Sequence, residues 1–268
     1  MWIAAATCVR RYGLLAVAAL AVFLTMTPAA AGATTPGQSM PRPLGVHGSW
    51  NLVFSDEFDG SSLDLTKWRP NWLGGTDTTI TKPVNRAEQS CYDPAQVTQG
   101  GGLATLTAVK RSCTASNGVT YNYASGLIES KNHFTFTYGY METRMWLPGS
   151  GSTAVDWPGF WADGTVTWPS TGEIDVMEVL DGRLCWHFHY SGGAPGGCPS
   201  IATPWGWHTF GADWEPGVIT FYYDGVRVGQ VTSGVTSSPM FLILNLGLSS
   251  NIVVPVSVQV DYVRVWKA

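Results

Sequence analysis

Charge is scarce in this chain. Asp, Glu, Lys and Arg make up 13% of its 268 residues, and the formal net charge is −4. A mildly acidic surface argues against nucleic acid or an anionic membrane as partner, since both select strongly basic faces. Solubility must then come from Ser, Thr, Asn, Gly and Tyr, a pattern common in exported β proteins. No long amphipathic helix pattern appears anywhere. Long apolar runs are nearly absent as well. Leu14 to Met26 is one, but it is shorter than the roughly 20 residues a membrane-spanning helix needs. Cysteine is sparse, at five. Four of them, Cys91, Cys113, Cys185 and Cys198, follow the N-terminal apolar run, with spacings unlike a zinc site.

What the chain does have begins with an export signature. Arg10 and Arg11 precede the apolar run, and small residues from Pro28 to Ala33 offer cleavage sites, so residues 1–33 read as a signal peptide. Their removal takes away two arginines and no acid, leaving 13 basic against 19 acidic residues, net −6. Export makes disulfides the expected state of the four remaining cysteines. Three pairings are possible. Cys185–Cys198 is favoured because it closes the Gly-rich loop 191–197, and Cys91–Cys113 then follows.

Residues 34–45 read as a flexible leader, and 46–268 as one domain without repeats. Short alternating runs recur, among them Leu103–Val109, Tyr140–Trp146, Val218–Tyr223, Met240–Asn245 and Val256–Val265. With 31 Gly and 16 Pro as punctuation, the expected class is all-β, an antiparallel β-sandwich.

Glu173-Ile174-Asp175-Val176-Met177-Glu178 is the run that points to chemistry. It reads as a strand, on which Glu173 and Asp175 share a face. Glu178 is one step out of phase, and a β-bulge near Met177 would return it to that face. Three carboxyls in a row repel, which raises at least one pKa and keeps a proton available for general-acid work. Two carboxyls with separated pKa values are the equipment of glycoside cleavage. The plain alternative is the solvent face of an edge strand.

Thirteen tryptophans are many, and several cluster around this strand. Sugar rings stack their C–H faces on indoles, so Trp157, Trp161 and Trp186 are expected cleft residues, with ordinary core packing the alternative for each. His187 and His189 alternate on one run, but two histidines do not make a metal site.

The blocks beyond the acidic strand resemble glycoside hydrolase family 16, in its laminarinase-like branch. They include Leu52–Gly60 with Trp68, Asn85–Gln89 with Tyr92, Ser125–Lys131, Tyr138–Met145, Trp157–Trp161, Trp207–Phe210 and Val260–Val265, in family order from about residue 50 onward. The resemblance implies a jelly roll with a glycan cleft across its concave sheet. It implies Glu173 as nucleophile, Asp175 as assisting acid and Glu178 as acid/base in a retaining double displacement, without a catalytic cofactor. It implies a polysaccharide substrate of β-1,3-glucan type and an extracellular, monomeric enzyme. His189 resembles the histidine that donates a hydrogen bond near the cleaved bond. Asn85, Arg86 and Arg144 are expected to bind sugar hydroxyls, with Arg pairing to Glu88 or Glu142 as the alternative. Glu57, Gly102 and Asp261 match a structural calcium position, through main-chain oxygens as much as carboxylates. The loops at 149–156 and 245–250 depart from common laminarinases, which leaves a β-galactan, an agar-type polysaccharide or a mixed-linkage glucan as alternative substrates, and a non-catalytic glucan-binding protein on the same fold as the alternative function.

Overall fold

A computed structural model describes residues 41–268; the expected signal peptide lies outside them, as does most of the expected leader. The described chain is built of strands, with one short 3-10 turn at Pro94–Gln96. Two large antiparallel sheets face each other. One has eight strands, and its longest, Val256–Lys267, is flanked on one side by Gly139–Leu147 and on the other by Leu103–Ala108 and then Asn51–Asp56. The other has six strands. Across it run Gly196–Gly197, Arg183–His189, Glu173–Leu180, Trp157–Gly164, Met240–Gly247 and Leu127–Glu129. A small parallel pair, Ser90–Tyr92 with Tyr123–Ser125, stands apart from both.

Alternation sorts the side chains of the six-stranded sheet into two faces. Phe160, Ala162, Ile174, Leu184, Trp186, Phe188, Leu242, Leu244 and Leu246 all enter the core between the sheets. The eight-stranded sheet meets them with Met141, Met145, Phe210, Ala212, Trp214, Val258, Val260, Val263 and Val265. The opposite face of the six-stranded sheet carries the polar residues of the cleft. This is the antiparallel sandwich that the turn-rich, alternating sequence predicts, in the jelly-roll form that the family resemblance implies.

Both favoured disulfides are present, Cys91–Cys113 and Cys185–Cys198. Residues 41–45, expected to be part of a flexible leader, are docked on the eight-stranded sheet. The Leu44 amide donates to Glu142, Tyr140 donates to the Leu44 carbonyl, and the Trp266 indole donates to the Pro41 carbonyl.

Candidate active site

The acidic strand is bulged where its sequence is out of phase. Phe160 pairs with Met177 and Trp161 with Asp175, so Val176 has no partner on that side. On the other side, His187 faces Asp175 and Cys185 faces Glu178, so two residues, Val176 and Met177, oppose Trp186 alone. Val176 and Met177 therefore both point into the core. Glu173, Asp175 and Glu178 all emerge on the cleft face, as the extra residue of a bulge requires. Gly159 lies beside Glu178, and a Cβ there would sit 2.8 Å from Asn245 Oδ1, so the cleft floor needs glycine at this point.

The cleft holds about 680 Å³ and is walled by Trp72, Trp157, Trp161 and Trp168 around the acids. Glu178 is held from two sides. The Trp157 indole donates to its Oε2 at 2.9 Å, and His187 Nδ1 lies 2.7 Å from its Oε1. His189 Nε2 lies 3.0 Å from Asp175 and 3.7 Å from Glu173. Among the described residues, only histidines come within ion-pair distance of these three carboxyls.

The electrostatics follow from burial. Loss of solvent, then the Asp175 charge, pushes Glu173 up to about 9, against the pull of His189. Burial also raises Asp175 well above the ordinary carboxyl range, with Glu178 and Asp163 adding to the rise. Asp163, opposite Glu173 on the next strand, is pushed up to about 6 by burial. The adjacent Glu173 and Asp175 therefore hold at least one proton between them at neutral pH.

A second layer positions the indoles. Trp161 donates to Asn245 Oδ1 at 2.9 Å, Asn245 donates to the Tyr92 hydroxyl at 2.8 Å, and Tyr92 donates to Glu88. Glu88 is buried and its carboxyl is raised to about 7 by loss of solvent. Trp72 packs on Trp161 with ring centroids 5.4 Å apart.

The expected binding residues divide. Asn85, Trp157, Trp161 and His189 line the cleft with the three acids. Trp186 does not. It is in phase with Leu184 and Phe188, faces the core and stacks on Phe221 at 4.6 Å. Arg144 lies on the other sheet, bonded to Asp261 at 2.7 Å and stacked over Trp207 at 4.4 Å. Arg86 is exposed and does not line the cleft. Trp72, Asp163, Trp168, His187 and Asn245, not among the expected binding residues, also line it. Of these, His187 carries a local signal in its alternation with His189, and Trp168 in its place among the tryptophans near the acidic strand.

The expected calcium position fits poorly through its side chains. Arg264 holds the Glu57 carboxylate with two bonds, at 2.6 and 2.9 Å, and Arg144 holds Asp261. Gly102 has no side chain and could offer only its main-chain oxygen. In the cleft, carboxylate and imidazole atoms of Glu173, Asp175 and His189, and of Asp175, Glu178 and His187, lie within 4.8 Å of one another. The hydrogen bonds among them account for this crowding, and we read them as acid–base groups.

Known proteins resemble this chain in sequence and fold. The family model for β-glucan synthesis-associated proteins SKN1/KRE6/Sbg1 matches residues 11–180. A glucan endo-1,3-beta-glucosidase A1 of Niallia circulans is 29% identical over 262 residues, covering 81% of this chain and 38% of the relative. A keratan-sulfate endo-1,4-beta-galactosidase of Sphingobacterium multivorum is 31% identical over 248 residues, 81% of this chain and 55% of its own. The chain thus spans about half the length, or less, of these curated relatives. The catalytic domain of an endo-1,3-beta-glucanase (laminarinase) from Thermotoga petrophila RKU-1 superposes with a TM-score of 0.69 at 25% identity, over 82% of this chain and 98% of that one. The family match over residues 11–180, with a sandwich shared with a laminarinase, places the chain in the SKN1/KRE6/Sbg1 family and, with it, in the laminarinase-like branch of glycoside hydrolase family 16.

Proposed function

We propose that this protein is a secreted, retaining endo-glycoside hydrolase that cleaves β-1,3-linked glucan. The observation that carries the reading is the bulge at Val176–Met177, which sets Glu173, Asp175 and Glu178 side by side in one cleft. Retaining enzymes work with two carboxyls roughly 5–5.5 Å apart, too close to admit a water between nucleophile and sugar.

The chemistry runs in two steps. A Glu173 oxygen bonds to the anomeric carbon while the glycosidic bond breaks. Its electron pair stays on the leaving oxygen, which takes the proton of Glu178. A water oxygen then bonds to the same carbon, gives its proton to Glu178, and the ester electrons return to Glu173. Glu173 must be ionised to attack, although burial and Asp175 hold its proton tightly. One proton shared by the pair resolves this. Asp175, only 7% exposed, is its natural holder, so it donates to Glu173 and leaves the charge on the nucleophile. His189, whose Nε2 lies 3.0 Å from Asp175, steadies that arrangement.

Export is supported by the Arg-Arg and apolar signature and by the two disulfides. A glucan substrate is supported by the glucanase relative and the laminarinase structure. The relative that acts on keratan sulfate supports a second reading, the same mechanism on a β-galactoside. Sugar release from laminarin, lichenan, agarose, galactan and keratan sulfate by the purified chain tests both. Laminarin as the fastest substrate, with internal cuts, is the expected result. Preference for a galactoside would overturn the glucan assignment and leave the mechanism standing.

A further inference from the structure

Glu178 must give up and regain one proton in each cycle, and the structure gives that proton an address. The Trp157 indole N–H donates to Oε2 and has no acceptor capacity. Oε1 faces His187 Nδ1 at 2.7 Å, a partner able to accept as well as donate, and is the oxygen better placed to hold the mobile proton. An imidazole nitrogen can accept from a protonated carboxyl or donate to an ionised one, according to its tautomer.

The imidazole is itself held in place. His187 is the cross-strand partner of Gly196, in the loop closed by Cys185–Cys198. A Cβ on Gly196 would lie 1.9 Å from His187 Cδ2 and 2.5 Å from Nε2, so the loop packs directly on the ring. The neighbouring pair Trp186 and Gly197 seats the same short strand. On the cleft side the ring faces Glu178, with Asp175 opposite on the next strand and His189 6.1 Å away.

We propose that His187 is a positioning residue for the acid/base carboxyl. Clamped by Gly196 of the disulfide-closed loop, it holds the transferable proton of Glu178 on Oε1 and keeps that carboxyl aimed for delivery to the leaving oxygen. The proposal rests on the assignment of Glu178 as acid/base. The proton itself passes from Glu178 to the leaving oxygen and returns from water, so His187 consumes nothing.

The test is a leaving-group comparison. kcat/KM reports formation of the glycosyl-enzyme, the step in which the leaving oxygen needs its proton. It is measured on laminarin and on 2,4-dinitrophenyl β-laminaribioside, whose phenolate leaves unprotonated. General-acid catalysis contributes about 10²–10⁴-fold. Because His187→Gln replaces the clamped ring with a flexible side chain that Gly196 does not hold against Oε1, it should lose roughly 10–10²-fold on laminarin and under about threefold on the aryl substrate. Gly196→Ala, which crowds the ring without touching Glu178, should show the same split in a smaller degree, with its melting temperature confirming the fold. Equal losses on both substrates would mean that His187 only shapes the cleft, and would overturn the proposal. So would an undiminished His187→Gln enzyme on laminarin. A Glu178→Ala enzyme that lost both substrates equally would instead overturn the acid/base assignment itself.

Discussion

The two outer faces of this sandwich treat their acids in opposite ways. On the eight-stranded side, two carboxylates are matched with arginine: Glu57 with Arg264, and Asp261 with Arg144. Both arginines also lie over aromatic rings, those of Tyr262 and Trp207. On the six-stranded sheet, Glu173, Asp175 and Glu178 are crowded together, and among the described residues only His187 and His189 come within ion-pair distance of them. A guanidinium fixes a carboxylate in its charged form at any working pH. An imidazole leaves the proton free to move. The first face spends its charges on holding strands together, and the second keeps them unneutralised for chemistry. Each prediction below strikes one face and asks whether the other responds.

The largest effect belongs to the acids of the cleft. Glu173→Ala and Glu178→Ala should each lower glucan hydrolysis by at least roughly 10²–10⁴-fold. They should differ in rescue by azide. Without Glu178, an activated substrate still forms the glycosyl-enzyme, and azide displaces it to give a β-glycosyl azide. Without Glu173 there is no such intermediate, and azide enters from the opposite face to give the α product. NMR of the azide products checks the assignment, and swapped configurations would reverse the two roles. An active Glu173→Ala enzyme would end the hydrolase reading.

Much of this was legible in the residues because strand alternation is a local signal. The phase break between Asp175 and Glu178 marked the bulge, since only an extra residue lets Val176 and Met177 both reach the core. The same alternation also held the correction for Trp186, in phase with the buried Leu184 and Phe188 and out of phase with His187. The attraction of indole for sugar outweighed it. Arg144 was beyond reach for another reason. Its outward phase could be read, but not which of two sheets its strand would join. Asp163 and Asn245 meet Trp161 and Glu173 only through strand pairings that no local window reveals. The docking of residues 41–45 uses main-chain groups of Pro41 and Leu44, which leave no mark on side-chain composition.

A middle-sized effect concerns stability, and its sign runs against function. Glu173 is pushed up to about 9 in the folded protein, well above an exposed carboxyl. The folded state then binds a proton that the unfolded chain has released, so stability is full below about pH 4 and declines as pH rises towards 9. Glu173→Gln removes one of the two carboxyls that share this proton. The variant should melt at about the wild-type temperature near pH 4 and a few degrees higher at pH 8, where about 1 kcal/mol corresponds to roughly 2–4 °C. Calorimetry across that range is the measurement. Parallel curves would show that the cleft carries its acids without cost, and the contrast between the faces would lose its energetic basis.

The smallest effect is expected on the opposite face. Arg264→Ala removes two bonds to Glu57 and the guanidinium over Tyr262. Glu57 is exposed and Arg264 half-buried, so the ion pair contributes only about 0.2–1 kcal/mol and is further weakened by salt. Stacking on Tyr262, with the ring centroid 3.7 Å from the guanidinium, adds about 0.5–1 kcal/mol. The melting temperature should fall by a few degrees, and less in high salt, while kcat and KM on glucan stay within error of wild type. The Val260, Val263 and Val265 side chains of the same strand would continue to fill the core beneath the site. A fall in kcat larger than the fall in stability would mean that the arginine-matched face transmits strain through that core to the acids. The division of labour between the two sheets would then be incomplete.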